Sequence, residues 1–261
     1  CNGERDIMAV HFVPMGTRGE GGTTNQMVKD YMTGSAIDLY FSYGLQDMAN
    51  FESGTPNYKD EVNKILDDII KTEPVKMLVA INEQALDDIQ TGGSGEFDKI
   101  NDIATWWDSE DKVFGYYIEE PNLPANGWTE ATIGKAASKL GRALIVMVRT
   151  AGARNAQNPV DANAANQGTY TDYADADGES NVAVAGFDYP NPGTGWDNIE
   201  DILLNTHPLY YCENNAQGKD YWFAVEIKTA SGDQTGEAQI GWMTYRALME
   251  EVTGVFFYNF T

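Results

Sequence analysis

Eight short apolar runs recur along the chain, each rich in β-branched and aromatic residues. They are DIMAVHFV (6–13), AIDLYFSY (36–43), VKMLVAI (75–81), KVFGYYIE (112–119), ALIVMVR (143–149), NVAVAGFDY (181–189), YWFAVEIK (221–228) and GVFFYNF (254–260). Most are continuously apolar rather than alternating, the pattern of strands buried on both faces, and that burial is characteristic of parallel sheets. Successive runs start about 30 to 45 residues apart, room for one crossover helix each. Eight such units predict a closed (β/α)8 barrel, an α/β fold of about 250 residues, and the 261 residues here fit one such domain spanning 1–261.

The intervening segments support this reading. NYKDEVNKILDDIIKT (57–72) sets Val62, Ile65, Leu66 and Ile69 on one helical stripe, EFDKINDIATWW (96–107) does the same, and TEATIGKAASKLGR (129–142) opens on Thr129 as a capping residue. WDNIEDILLNT (196–206) and EAQIGWMTYRALMEEV (237–252) continue the alternation, which favours right-handed βαβ crossovers. The stretch 150–181, rich in Ala, Asn, Asp and Gly, predicts a long loop after strand five. No helical pattern follows strand eight, so either the closing helix of the barrel is dispensable or the sequence is truncated before it.

Composition narrows the partners. A net charge of −23 opposes the close approach of phosphate backbones, so nucleic acid is not an expected partner. Two cysteines, Cys1 and Cys212, and two histidines, His11 and His207, offer no cluster for structural zinc. TRGEGG (17–22) lacks the spacing of a phosphate loop, and DADGES (175–180) lacks the first ligand of a calcium loop because Tyr173 stands there; neither a metal nor another cofactor is expected. No apolar run approaches the ~20 residues of a membrane helix. The opening Cys1 resembles the first residue of a mature bacterial lipoprotein, which implies membrane attachment through a lipidated Cys1 and an extracytoplasmic, secreted or cell-surface location.

In a parallel barrel, function gathers at the C-terminal ends of the strands. Those ends carry His11 on the first run, Tyr40 on the second and Asn82 after the third. Glu119 and Glu120 follow on the fourth, Arg149 on the fifth, Asp188 and Tyr189 on the sixth, Glu226 on the seventh and Tyr258 on the eighth. Carboxylates, amides and aromatic rings are the groups that grip and cleave sugars. Trp128 and Trp196, just beyond strands four and six, are expected as stacking platforms for pyranose rings, whereas Trp106, Trp107 and Trp242 fall in helical segments and read as core.

Glycoside hydrolysis by the common route needs two carboxyl groups flanking the scissile bond. The segment IEEPN (118–122) resembles the Asn-Glu-Pro segment that ends strand four in the clan of retaining barrel glycosidases, and FAVEIK (223–228) is similar to the strand-seven segment of that clan. The resemblance implies Glu120 as acid/base and Glu226 as nucleophile, with a carbohydrate as substrate or ligand. The chain departs from the clan at Glu119, where an Asn usually binds the sugar 2-hydroxyl. Because neighbours on a strand face opposite ways, one of the adjacent glutamates is free to turn toward the helix layer. The alternatives are a non-catalytic carbohydrate-binding or surface structural protein on the same barrel, and a metal-assisted enzyme using Glu119, Glu120, Asp188 and Glu226 as oxygen ligands.

Overall fold

A computed structural model describes residues 7–12, 38–42, 44–119, 121, 127–149, 182–188, 221–226, 241, 244–245 and 254–260. Eight parallel strands close into one barrel in sequence order: β1 (Ile7–Phe12), β2 (Leu39–Ser42), β3 (Lys76–Ala80), β4 (Val113–Glu119), β5 (Ala143–Arg149), β6 (Val182–Asp188), β7 (Tyr221–Glu226) and β8 (Gly254–Phe260). β8 pairs back onto β1, from Ile7↔Gly254 to Phe12↔Phe260, so no strand edge is left open. Each strand lies within one of the eight apolar runs, and the (β/α)8 expectation holds.

The helix layer follows the amphipathic segments. α1 (Tyr58–Asp68) is capped by Asn57, whose Oδ1 accepts from the Asp60 N–H at 2.9 Å, and it buries Tyr58, Val62, Ile65 and Leu66 against the barrel. A 3₁₀ turn at Ile70–Thr72 ends that segment. Next comes a helix that the apolar runs did not announce, α2 (Glu83–Thr91), so two helices, α2 and α3 (Asp98–Trp107), separate β3 from β4. α4 (Glu130–Ala137) begins at Thr129, whose hydroxyl accepts from the Thr132 N–H as expected of a cap. Of the 237–252 segment, Gly241, Thr244 and Tyr245 are helical. The 196–206 helix, the 150–181 loop, Cys1 and Cys212 lie outside the described residues. No described helix is long and apolar enough to cross a membrane.

Ring contacts sort the strand residues into two faces. Phe41 on β2 meets Tyr117 on β4 edge-to-face at 5.2 Å, although β3 lies between the strands, and Phe114 on β4 approaches Trp222 on β7 at 6.4 Å. Such pairs meet only across the inside of the barrel. Tyr116, between them, donates its hydroxyl to Asp108 Oδ1 at 2.7 Å, beside the end of α3, and so belongs to the outer face. Phe114 and Tyr117 are three apart yet both internal because the register slips: Met77 pairs with Val113 and Leu78 with Gly115, leaving Phe114 as the extra residue of a bulge. Gly115 permits this, since a Cβ there would lie 2.5 Å from the Ala143 carbonyl oxygen. Gly254 on β8 leaves room for the Trp222 ring, from which a Cβ would lie 2.5 Å away.

Candidate active site

All eight strands run the same way, so their C-terminal ends form one rim. Alternation from Tyr117 gives Glu119, the last residue of β4, the inner face of that rim. The same alternation runs round the barrel. Glu119 pairs with Met147, Met147 with Ala185, Ala185 with Trp222, and Trp222 with Gly254. Trp222 is internal, so Glu226, four residues further along β7, holds an inner-face position and pairs with Tyr258 on β8. His11 pairs with the internal Phe41, and Arg149 stands two residues beyond Met147, giving both inner-face positions as well.

Heights along the barrel axis follow from the same ladder. The row that leaves β4 at its last residue, Glu119, reaches β7 at its second, Trp222, and β8 at its first, Gly254. The row therefore descends, by about one residue per strand for a barrel of shear 8. Level with Glu119, β7 stands about three residues beyond Trp222, which puts Glu226 within about one residue, ~3 Å, of the same height. The last positions of β4 and β7 thus fall on one face and in one layer.

The backbone of Glu119 is held from outside the sheet. Gln46, buried in the turn after β2, accepts the Glu119 N–H on Oε1 at 2.8 Å and donates from Nε2 to the Glu119 carbonyl at 3.1 Å. Its amide thereby continues the ladder past the last β3 partner, Ala80↔Tyr117. Glu119 itself is half-buried, as a group at the mouth of a packed barrel should be. Nothing in a single sequence marks Gln46 for this role, since its two partners are main-chain groups 73 residues away.

Three expected binding residues stand elsewhere. Tyr40 alternates with the internal Phe41, so it is on the outer face, fully buried under the helices, and burial raises its phenol above the ordinary range. Asn82 is also fully buried and structural: Oδ1 caps α2 by accepting from the Gln84 N–H at 3.1 Å, and Nδ2 donates to the Gln46 and Met48 carbonyls at 3.1 and 3.0 Å. Trp128 is 2% exposed rather than a platform; its Nε1 donates to Asp87 Oδ1 of α2 at 2.8 Å, tying α2 to the start of α4. Trp107 is core as expected, and Trp106 packs against it and Phe51.

By register Asp188, one residue beyond the Phe187↔Ala224 pair, falls on the outer-face position beside Val225. Glu120, Tyr189 and Trp196 lie outside the described residues. At the start of α2, Glu83 has its pKa raised by partial burial and then by the neighbouring charges of Asp47 and Asp87. Among the described residues, no group of His, Cys, Asp or Glu is arranged to hold a metal ion.

Comparison with known proteins places this architecture. No family model matches the sequence, and no curated protein matches it. Solved structures do. Cel5A of Thermotoga maritima, determined with cellobiose, superposes with a TM-score of 0.61 over 98% of this chain and 90% of its own, at 12% identity. The intracellular xylanase TsXylA of Thermoanaerobacterium saccharolyticum, determined with xylotriose, gives 0.59 over 99% and 90%, at 13% identity. The carboxyl transferase domain of Rhizobium etli pyruvate carboxylase gives 0.54 at 11% identity, covering 98% of this chain and 40% of that one. At such identities the likeness is one of fold, and the chain is a (β/α)8 barrel of the kind also seen in a xylanase, an endo-β-1,4-glucanase and a carboxyl transferase domain.

Proposed function

We propose that the protein is a glycoside hydrolase acting on a poly- or oligosaccharide at the C-terminal mouth of the barrel. Glu226 is the nucleophile, and a carboxyl group at the end of β4, Glu120 by the glycosidase likeness, is the acid/base. The observation that carries this reading is the common inner face and layer of the ends of β4 and β7. Two carboxyl groups across one opening are what oxocarbenium-like chemistry requires. His11, Arg149 and Tyr258, at inner-face positions of the same rim, are the binding groups for sugar hydroxyls. The net charge of −23 suits a strongly solvated protein working outside the cytoplasm.

Xylo- and cello-oligosaccharides head the substrate panel, because structural neighbours of the same fold were determined with xylotriose and cellobiose. Release of new reducing ends by the unmodified protein is expected. Glu226→Gln should abolish nearly all turnover while sugar binding, followed by calorimetry, persists, since only the covalent step is lost. A second reading, a carbohydrate-binding protein without turnover, is favoured by Glu119 standing where barrel glycosidases carry Asn and by the catalytic diversity of the fold. Binding across a broad glycan panel with no hydrolysis would select it.

A further inference from the structure

Within the glycosidase reading, on which this inference rests, the geometry points to Glu119, rather than the following Glu120 of the motif likeness, as the acid/base carboxyl group at the end of β4. Three observations converge. Glu119 follows the internal Tyr117 by two residues on a regular strand, so it holds the inner-face position at the end of β4. The ladder from Glu119 through Met147 and Ala185 to Trp222 sets it level, within about one residue, with Glu226. Both main-chain groups of Glu119 are gripped by Gln46, itself only 5% exposed, the kind of outside support that holds a reacting group to its geometry.

The chemistry is as follows. The protonated Glu119 carboxyl donates its proton to the glycosidic oxygen as the bond from that oxygen to the anomeric carbon breaks, its electron pair leaving with the alcohol. The Glu226 carboxylate bonds to the anomeric carbon from the other face. Water then attacks that carbon, Glu119 takes up the proton of the water, and Glu226 departs as carboxylate. One water is consumed and both carboxyl groups return to their starting states.

Glu119→Gln and Glu120→Gln, compared side by side, test the assignment on 2,4-dinitrophenyl β-cellobioside and β-xylobioside against cellotetraose and xylotetraose. Glu119→Gln should lose about 10²–10⁴-fold on the tetrasaccharides, whose leaving groups need protonation. On the dinitrophenyl substrates it should keep formation of the glycosyl-enzyme, lose the basic limb of the pH profile, and yield a glycosyl azide when azide is added. Glu120→Gln should keep the pH profile and give no azide adduct. Thermal melting and circular dichroism of both variants guard against misfolding, and Glu119→Asp, which retains a proton-carrying group, should keep the bell-shaped profile that Gln loses. The azide and leaving-group signature at Glu120 in place of Glu119 would overturn this inference while sparing the proposed function. Absence of turnover on all four substrates by the unmodified protein would overturn both.

Discussion

Replacing Asn82 separates a binding role from a structural one. Its Nδ2 has two hydrogens for the carbonyls of Gln46 at 3.1 Å and Met48 at 3.0 Å, with Leu45 at a marginal 3.4 Å, while Oδ1 caps α2. Asn82→Ala removes two buried hydrogen bonds, about 1 kcal/mol each, and a helix cap, about 1 kcal/mol. No large penalty for stranded carbonyls adds to this: Gln46 O still accepts from the Glu83 N–H at 2.9 Å, and Met48 O from Gln84 Nε2 at 3.3 Å. The expected loss is about 3 kcal/mol, or roughly 6–12 °C in melting temperature for a domain of this size. Asn82→Asp should be worse than Ala despite its closer shape, since it keeps the cap but sets a buried carboxylate against carbonyl oxygens. Differential scanning calorimetry reads both. If Asn82→Ala melts within about 2 °C of the unmodified protein and instead weakens sugar binding, the structural assignment is refuted and Asn82 returns to the binding site.

Two further predictions follow from packing and burial. Gly115→Ala should cost about 1–3 kcal/mol, because its Cβ would meet the Ala143 backbone carbonyl at 2.5 Å and β4 and β5 would have to separate; an unchanged unfolding midpoint in urea would contradict the bulge. Burial is the leading cause that raises the phenols of Tyr40, Tyr58 and Tyr116 above their ordinary 10.0, with Tyr116 held further by Asp108. The folded state keeps these protons where the unfolded chain releases them. Stability is therefore intact below pH 10 and falls above it by about 1.4 kcal/mol per pH unit for each of the three. Alkaline titration should release these phenols together with the loss of near-ultraviolet dichroism, and release while the native dichroism persists would sink the assignment.

The sequence made the barrel legible because continuous apolar runs at crossover spacing have few other uses, and every strand lies within its run. α2 was not legible in the same way. Its spacing of Ala85, Leu86 and Ile89 behind an Asn cap is a helix signal, but at nine residues it competes with the reading of Asn82 as a strand-end ligand. Trp128 and Tyr40 show a related limit. Position near a strand end does not say which face a side chain takes, and both are large enough to be claimed by the core.

The identity of the strand-four carboxylate turns on the same point at finer scale. A strand has period two, so a single extra residue exchanges its faces, and Phe114 is such a residue. Counting by twos from the internal Phe114 would give Tyr116 and Ile118 the interior and pass over Glu119. Counting from Tyr117, beyond the slip, gives it Glu119. The bulge has a sequence correlate in Gly115, where the Ala143 carbonyl leaves no room for a side chain, but a lone glycine in a strand marks a site of close approach without saying which way the count shifts. Only the partner strands decide that, through Leu78↔Gly115 on one side and Gly115↔Ala143 on the other. The paired glutamates of IEEPN are adjacent in sequence, and the face that Glu119 takes is set by a register slip at Phe114, five residues before it.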